Sequence, residues 1–230
     1  MSLNQEGGVP QCVGIILDGN RRWAKERGIP SLMGHRKGFE NLIEAARWVR
    51  EAGVAHLAVY AFSTENWNRS SDEVTYLMEL FKEMAGTHLA TLGKEGVRIR
   101  FIGERARFSA DLQALMREAE EGSALNTSFT VWVCLSYGGR AEILAAARRA
   151  QEDAVEISDE SLRARMWSAE MPDPDLIIRT GGEMRLSGFL TWQSIYSELF
   201  FLKTYWPDFS RNDLDAVLSE HAQRQRRMGK

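Results

Sequence analysis

Residues 13–22 read VGIILDGNRR. An apolar run is followed by Asp18, then by Gly19 and Asn20, then by Arg21 and Arg22, which open an amphipathic stretch with Trp23, Ala24 and Lys25. A run without polar alternation reads as a strand buried on both faces, as in parallel sheets. Gly19 and Asn20 suit a tight turn, and a helix follows at once, with Asn20 a candidate cap. The pattern puts a carboxylate at the carboxyl end of a strand, beside the N–H groups of a helix's first turn. Open α/β sheets bind ligands at that place, and helix N-termini favour phosphate. Asp18 alone would repel a phosphate, so its presence there points to a divalent cation between carboxylate and anion. The competing reading is a plain strand-to-helix turn with no ligand.

Outward from this stretch the chain alternates. Strands are expected at residues 12–17, 55–62, 97–102, 129–135 and 176–179. Helices are expected from 21 to a close at Gly28-Ile29-Pro30, over 35–52 with Gly53 beyond its end, and from a Ser71 or Asp72 cap to about 92. Further helices follow a Ser109 cap over 110–121, run from 140 to about 153, and follow caps at Ser158 and Ser210. Residues 31–34 read as a loop, Pro172 and Pro174 break the chain, and 189–192 and 199–201 are apolar pieces around Glu198. Strands alternating with helices mean an α/β fold: a single domain with a mostly parallel sheet, helices on both faces. Residues 1–10 read as a disordered polar lead-in and 11–230 as the domain.

At 230 residues, 44% hydrophobic and 27% charged, one soluble domain accounts for the chain. The net charge of −3 excludes a nucleic-acid track, while local basic clusters (Arg21, Arg22, Lys25, Arg27, Arg36, Lys37; Arg224, Arg226, Arg227, Lys230) suit a small anion. Cys12 and Cys134 sit in apolar runs with no metal or disulfide spacing, which fits buried free thiols in a reducing compartment. The first eight residues lack a signal-peptide core and no apolar run reaches membrane-spanning length, so a cytoplasmic location is expected, with contact at a membrane surface left open.

Polar residues collect after the strands: Asp18 and Arg22 after the first, Ser63, Glu65, Asn66 and Arg69 after the second, Arg179, Arg185 and Ser187 after the fifth. Parallel strands share one carboxyl edge, so these groups can converge. Four arginines with a hydroxyl and glycine-rich turns describe a site for more than one phosphate. Arg179 at a strand end demands an anion if buried. Glu198 is a second acid that could face the site, and Glu183 reads as loop support. No Walker lysine pattern appears, which argues against a kinase on a similar sheet.

The segments ILDGNRRWAKERG, YAFSTENWNR, YGGR and DLIIRTGGEMRLSGFLTWQSIYSELFF, in this order, resemble the cis-prenyltransferase family from about residue 13 to the end. The resemblance implies condensation of isopentenyl diphosphate with an allylic diphosphate, farnesyl diphosphate as primer, in Z geometry. It implies an undecaprenyl-type polyprenyl diphosphate for cell-wall glycans, or a short-chain Z-prenyl product if an apolar tunnel between sheet and helices is blocked, for instance by Phe129 or Trp132. By position it makes Asp18 the acid that holds Mg²⁺ and Glu198 a second metal ligand, acting with Asp18 or across a homodimer. Gly19, Asn20, Arg21, Arg22, Trp23 and His35 match contacts to the allylic substrate. Ser63, Thr64, Glu65, Trp67 and Arg69 match the loop beside the substrates, and Asn66 a residue tied to proton removal. Arg179, Arg185, Leu186 and Ser187 match the isopentenyl diphosphate grip, and Arg227-Met228-Gly229 a tail that reaches a partner subunit. Ser31 stands where an arginine is common, with Arg27 or Arg36 as substitutes, and Met184 where some members carry a histidine. A non-catalytic subunit, the remaining alternative, would lack Asp18 and the arginine grip.

Overall fold

The computed structural model of the chain describes residues 8–224, so the tail Arg227-Met228-Gly229 and most of the lead-in lie outside the described residues. Its strands are β1 (Cys12–Ile16), β2 (His56–Ser63), β3 (Arg98–Ile102), β4 (Thr130–Tyr137), β5 (Leu176–Arg179) and β6 (Glu198–Phe201). They form one sheet in the order β3-β4-β2-β1-β5-β6, every neighbouring pair parallel. The helices are α1 (Asn20–Glu26), α2 (Ser31–Glu51), α3 (Ser71–Glu83), α4 (Ala90–Lys94), α5 (Ala110–Gly122), α6 (Gly139–Glu152), α7 (Asp159–Arg163) and α8 (Arg211–Gln223). β1 lies between β2 and β5, so the chain leaves its carboxyl end toward one side of the sheet and returns on the other. This is the switch point where open sheets form a crevice.

Side chains alternate between two apolar layers. Val131, Val133 and Leu135 of β4 join a large core with Phe39, Leu42 and Val49 of α2 and Leu77, Leu80 and Phe81 of α3. Trp132 and Cys134 face the other way, with Tyr60, Met171, Phe189 and Leu190. Both cysteines are buried and free. Among the described residues no helix is long and apolar enough to cross a membrane.

The structure departs from the sequence reading in four places. Residues 31–34 are the first turn of α2, entered directly from Pro30, because Gly34 must lie flat against the Asn20 backbone. The loop after β2 is a 3₁₀ turn, Thr64–Asn68. The helix expected to run to residue 92 is α3, capped by Ser70, then a π turn at Met84–Leu89, then α4. The piece 199–201 is the edge strand β6, while 189–192 is irregular.

Gly34 and Gly38 let α2 cross the start of α1 at close range. A Cβ at Gly34 would overlap the Asn20 carbonyl oxygen, and one at Gly38 the Asn20 side chain. Gly34→Ala is expected to lower unfolding free energy by about 1–3 kcal/mol, as overpacking against rigid backbone does. Chemical denaturation of the variant beside the parent chain checks this.

Candidate active site

The carboxyl ends of β1, β2, β4 and β5 frame two joined cavities of about 1000 and 640 Å³. Leu17, Asp18, Asn20, Arg22, His35 and Arg69 line both. Asp18 therefore stands where the two meet. Gly19 makes the turn behind it with φ 107°, a conformation an L side chain resists, and its Cα faces Tyr205.

Strand register brings Asp18 and Arg179 together. Ile16 of β1 pairs with Arg179 of β5, so the residue two places past Ile16 reaches the guanidinium. Arg179 Nη2 donates to Asp18 Oδ2 at 2.8 Å and Arg22 Nη2 to Asp18 Oδ1 at 3.1 Å. Thr180 fixes the Asp18 backbone, accepting from its N–H and donating to its carbonyl. Partial burial pushes the Asp18 carboxyl up, but the hydrogen bonds and charge of Arg179 and Arg22 outweigh it and hold the group below its ordinary value. Arg179 is only 5% exposed. Its Nη1 also donates to Ser187 Oγ at 2.9 Å and to the Arg185 carbonyl. Glu183 supports the loop, accepting from Arg185 at 2.5 Å and from Arg22 at 3.4 Å. Tyr60, stacked on Phe189, donates to the Tyr137 and Ser187 carbonyls and ties β2 to this loop.

Opposite this group, Arg69 and His35 meet the carboxylate of Glu73 at 2.9 and 3.2 Å, with Arg21 at 3.8 Å. Burial depresses the His35 pKa, Arg69 depresses it further, and Glu73 only partly offsets them. Ser63, Thr64, Glu65 and Asn66 line the larger cavity. The Ser63 N–H donates to Asn66 Oδ1 at 3.0 Å, closing the 3₁₀ turn.

Fifteen of the expected positions thus line the cavities: Asp18, Gly19, Asn20, Arg21, Arg22, His35, Ser63, Thr64, Glu65, Asn66, Arg69, Arg179, Arg185, Leu186 and Ser187. Three expected positions do not. Trp23 is held outside, its Nε1 donating to Asp208 at 2.7 Å and its ring under Arg27. Trp67 points into the core against Phe62 and Phe108, its Nε1 donating to Ser136 Oγ at 2.9 Å. Glu198 starts β6 in register with Leu176, at the opposite end of the strand from Arg179. Three residues of strand span about 10 Å, and Glu198 is paired with Arg224 at 2.7 Å. Within one chain, then, the structure does not bring Glu198 to Asp18. The proposed stand-ins for Ser31 are engaged elsewhere, Arg27 with Asp208 and Arg36 with Glu83. Lys25 lines the smaller cavity together with Ser31, Arg21 and Arg22.

Sequence reasoning assigned no role to Gly138, Gly139, Arg140, Thr191 and Ser194, which also line the larger cavity. The glycine pair at a strand's end was the available signal for Arg140. Beneath the cavities a recess of about 50 Å³ opens between α2, α3 and β2, lined by Phe39, Leu42, Ala61, Leu77, Phe81 and Met84 among others. Phe129 belongs to the core layer on this side of the sheet, whereas Trp132 lies in the layer on the other.

A family model for undecaprenyl diphosphate synthases matches residues 16–229. The chain belongs to this prenyltransferase family. Among its relatives, the isoprenyl transferase of Agrobacterium fabrum is 43% identical, covering 100% of this chain and 96% of its own. The ditrans,polycis-undecaprenyl-diphosphate synthase ((2E,6E)-farnesyl-diphosphate specific) of Pseudomonas aeruginosa is 45% identical, covering 96% and 91%. Among solved structures, the lavandulyl diphosphate synthase of Lavandula x intermedia, in complex with dimethylallyl diphosphate, superposes with a TM-score of 0.92 at 31% identity, covering 96% of this chain and 99% of that one.

Trp67 anchors the 3₁₀ turn Thr64–Asn68 by packing and by one hydrogen bond. Trp67→Phe keeps an aromatic ring, though a smaller one, and removes the N–H that Ser136 Oγ accepts. A stability loss of about 1 kcal/mol is expected, read as a shift in the denaturation midpoint.

Proposed function

We propose that the protein joins isopentenyl diphosphate to an allylic diphosphate, with farnesyl diphosphate as primer, in Z geometry, and extends it to an undecaprenyl-type carrier for cell-wall glycans. The observation that carries this reading is the pair of joined cavities with Asp18 at their junction and guanidinium groups on both sides. The smaller cavity, with Arg21, Arg22, Lys25, His35 and Arg69, suits the allylic diphosphate. The larger, with Arg179, Arg185 and Ser187, suits isopentenyl diphosphate. The names of the Agrobacterium and Pseudomonas relatives support the same assignment.

Asp18 offers a hard carboxylate oxygen at 28% side-chain exposure, open to both cavities. Mg²⁺ binds through one or two carboxylates plus substrate phosphates, so this donor set fits it, with Asp18 as the protein ligand. When bound, the ion would neutralise diphosphate charge as the allylic C–O bond breaks. Arg21, Arg22 and Arg69 take up leaving-group charge on the same side, where preorganised donors are most effective. Arg179 and Ser187 hold the isopentenyl diphosphate so that its double bond faces the allylic carbon. The proton that must then leave has no strong base in Asn66, whose amide oxygen already accepts from Ser63. Asn66 shapes the loop, and a diphosphate oxygen accepts the proton.

Glu198 could serve a metal only from a second copy. Ile195 and Tyr196 are exposed beside β6, the edge strand of the sheet, and a homodimer covering them is part of this proposal, with the C-terminal Arg227-Met228-Gly229 near the partner site. An apolar product also supports peripheral contact with the cytoplasmic face of the plasma membrane. A second reading, a short-chain Z-prenyl product, is favoured by the small volume of the apolar recess, about 50 Å³.

Purified protein incubated with labelled isopentenyl diphosphate, farnesyl diphosphate and Mg²⁺ is expected to incorporate label, and chain-length analysis of the product separates the two readings. Absence of incorporation overturns both. Asp18→Ala is expected to lower kcat/KM by roughly 10²–10³-fold. Trp132→Phe, on the far face of the sheet, is expected to leave product length unchanged in the same assay.

A further inference from the structure

We infer that Tyr205 is the positioning residue for Arg22, fixing that guanidinium at the junction of the two cavities. The inference rests on the prenyl-transfer reading for the identity of the anion that Arg22 meets, and on geometry for the rest. Arg22 lines both cavities, whereas Tyr205 lines neither. Tyr205 ends the segment that leaves β6, immediately before the 3₁₀ turn Trp206–Asp208. That segment is fastened to the exits of two strands. The Gly181 N–H donates to the Thr204 carbonyl and the Gly182 N–H to the Leu202 carbonyl, each at 2.8 Å, and the Trp206 N–H donates to the Asp18 carbonyl at 2.9 Å. The main chain on either side of Tyr205 is therefore tied down, and its half-buried side chain starts from a fixed point.

From there the side chain runs along one face of α1. It packs on Gly19. Arg22 Cζ lies over the ring, 5.4 Å from its centroid, within the range at which a guanidinium is attracted to the negative face of an aromatic ring. The hydroxyl donates to Glu26 Oε1 at 2.6 Å. Arg22 and Glu26 stand four residues apart on the helix, so they share a face. Tyr205 spans both: the hydroxyl anchors the ring, and the ring meets the cation.

Arg22 has two other partners. Its Nη2 donates to Asp18 Oδ1 at 3.1 Å and its Nη1 to Glu183 Oε1 at 3.4 Å. Both partners are carboxylates, and an arriving diphosphate competes with them for the same N–H groups. Asp18 is in addition the proposed Mg²⁺ ligand, so its oxygens are not reserved for Arg22. The ring attracts the cation without occupying an N–H, and so is the contact that anion binding leaves intact. A side chain already held in place loses less freedom on binding than a free one.

The competing account makes Tyr205 only a packing residue behind the Gly19 turn. Replacing it would then disturb both substrates alike, whatever stood at position 22. Positioning predicts a loss confined to the allylic side and dependent on Arg22.

The test compares Tyr205→Leu, which keeps an apolar contact and removes the ring, with the parent enzyme. Calorimetric titration with farnesyl diphosphate and Mg²⁺, with isopentenyl diphosphate omitted so that nothing turns over, is expected to show about fivefold weaker binding, the scale of a partly exposed cation–π contact. KM for isopentenyl diphosphate should change by less than about twofold, because Arg179 is held by Asp18 and Ser187. Tyr205→Phe keeps the ring and should recover most of the loss. Tyr205→Leu with Arg22→Ala should bind no more weakly than Arg22→Ala alone, the non-additivity of residues acting as a unit. Should Tyr205→Leu not fold, Tyr205→Met carries the same expectation. Unchanged or tighter binding by the leucine variant, a phenylalanine variant as weak as leucine, or a loss that adds to that of Arg22→Ala each overturns the inference. A parent enzyme that binds farnesyl diphosphate but condenses nothing overturns prenyl transfer, while the binding comparison still decides the role of Tyr205. One that binds inorganic pyrophosphate but not farnesyl diphosphate also overturns prenyl transfer, and the same comparison made with pyrophosphate decides for Tyr205. A parent enzyme that binds neither overturns both.

Discussion

The ion pair between Asp18 and Arg179 is the constraint on which the site depends. Arg179 is almost fully buried, and a buried guanidinium without an anion is strongly unfavourable. Its partner sits at the end of the neighbouring strand, and both positions follow from the β1–β5 register. Breaking such a pair by removing one member typically costs about 3–5 kcal/mol. The carboxylate that faces the cavities is thus also the group that keeps a buried cation tolerable. Structure and chemistry are served by one contact, and Thr180, by bonding the Asp18 backbone on both sides, keeps that contact from drifting.

The rest of the pocket is built around the same junction by two counter-ion groups. On one flank Glu183 gathers Arg22 and Arg185. On the other Glu73 gathers Arg21, His35 and Arg69. Each places a carboxylate against guanidinium groups that would otherwise repel, Arg22 and Arg185 in the first and Arg21 and Arg69 in the second. An anion of high charge density arriving between them meets donors already in place, which is the condition for electrostatic stabilisation without reorganisation at the moment of reaction. The apolar recess between α2, α3 and β2 adjoins them, sharing Leu17, Asn20, His35, Ala61 and Leu77 with the larger cavity.

How much of this was legible in the sequence depended on the range of the signal. The apolar run before Asp18, and the strand ending at Arg179, declared themselves locally, and the sheet edge where they meet followed from parallel connectivity. Where Glu198 falls depends on the direction and register of a four-residue strand, which nothing local fixes, and within one chain that register sets it apart from Asp18. Trp67 was read beside the site because it flanks polar residues, yet a 3₁₀ turn rotates its indole into the core. Residues 31–34 looked like a loop because Pro30 and Gly34 punctuate them; the proline begins the helix and the glycine serves a contact with Asn20. Glu73 sat in a run, Ser70-Ser71-Asp72-Glu73, that reads as a solvated helix start. Only its spacing of four from Arg69 hinted at a partner.

The pairing of β1 with β5 joins residues more than 160 positions apart. While the chain is still emerging from the ribosome, β1 can pair with β2, but its other flank stays open until residues 176–179 have been made. The nascent protein therefore carries Asp18 without its buried partner for most of synthesis, and its binding site comes into being in one late docking step. Distant pairings of this kind close slowly and leave a strand edge exposed in the interval. For this fold, assembling the candidate site and finishing the sheet are a single event.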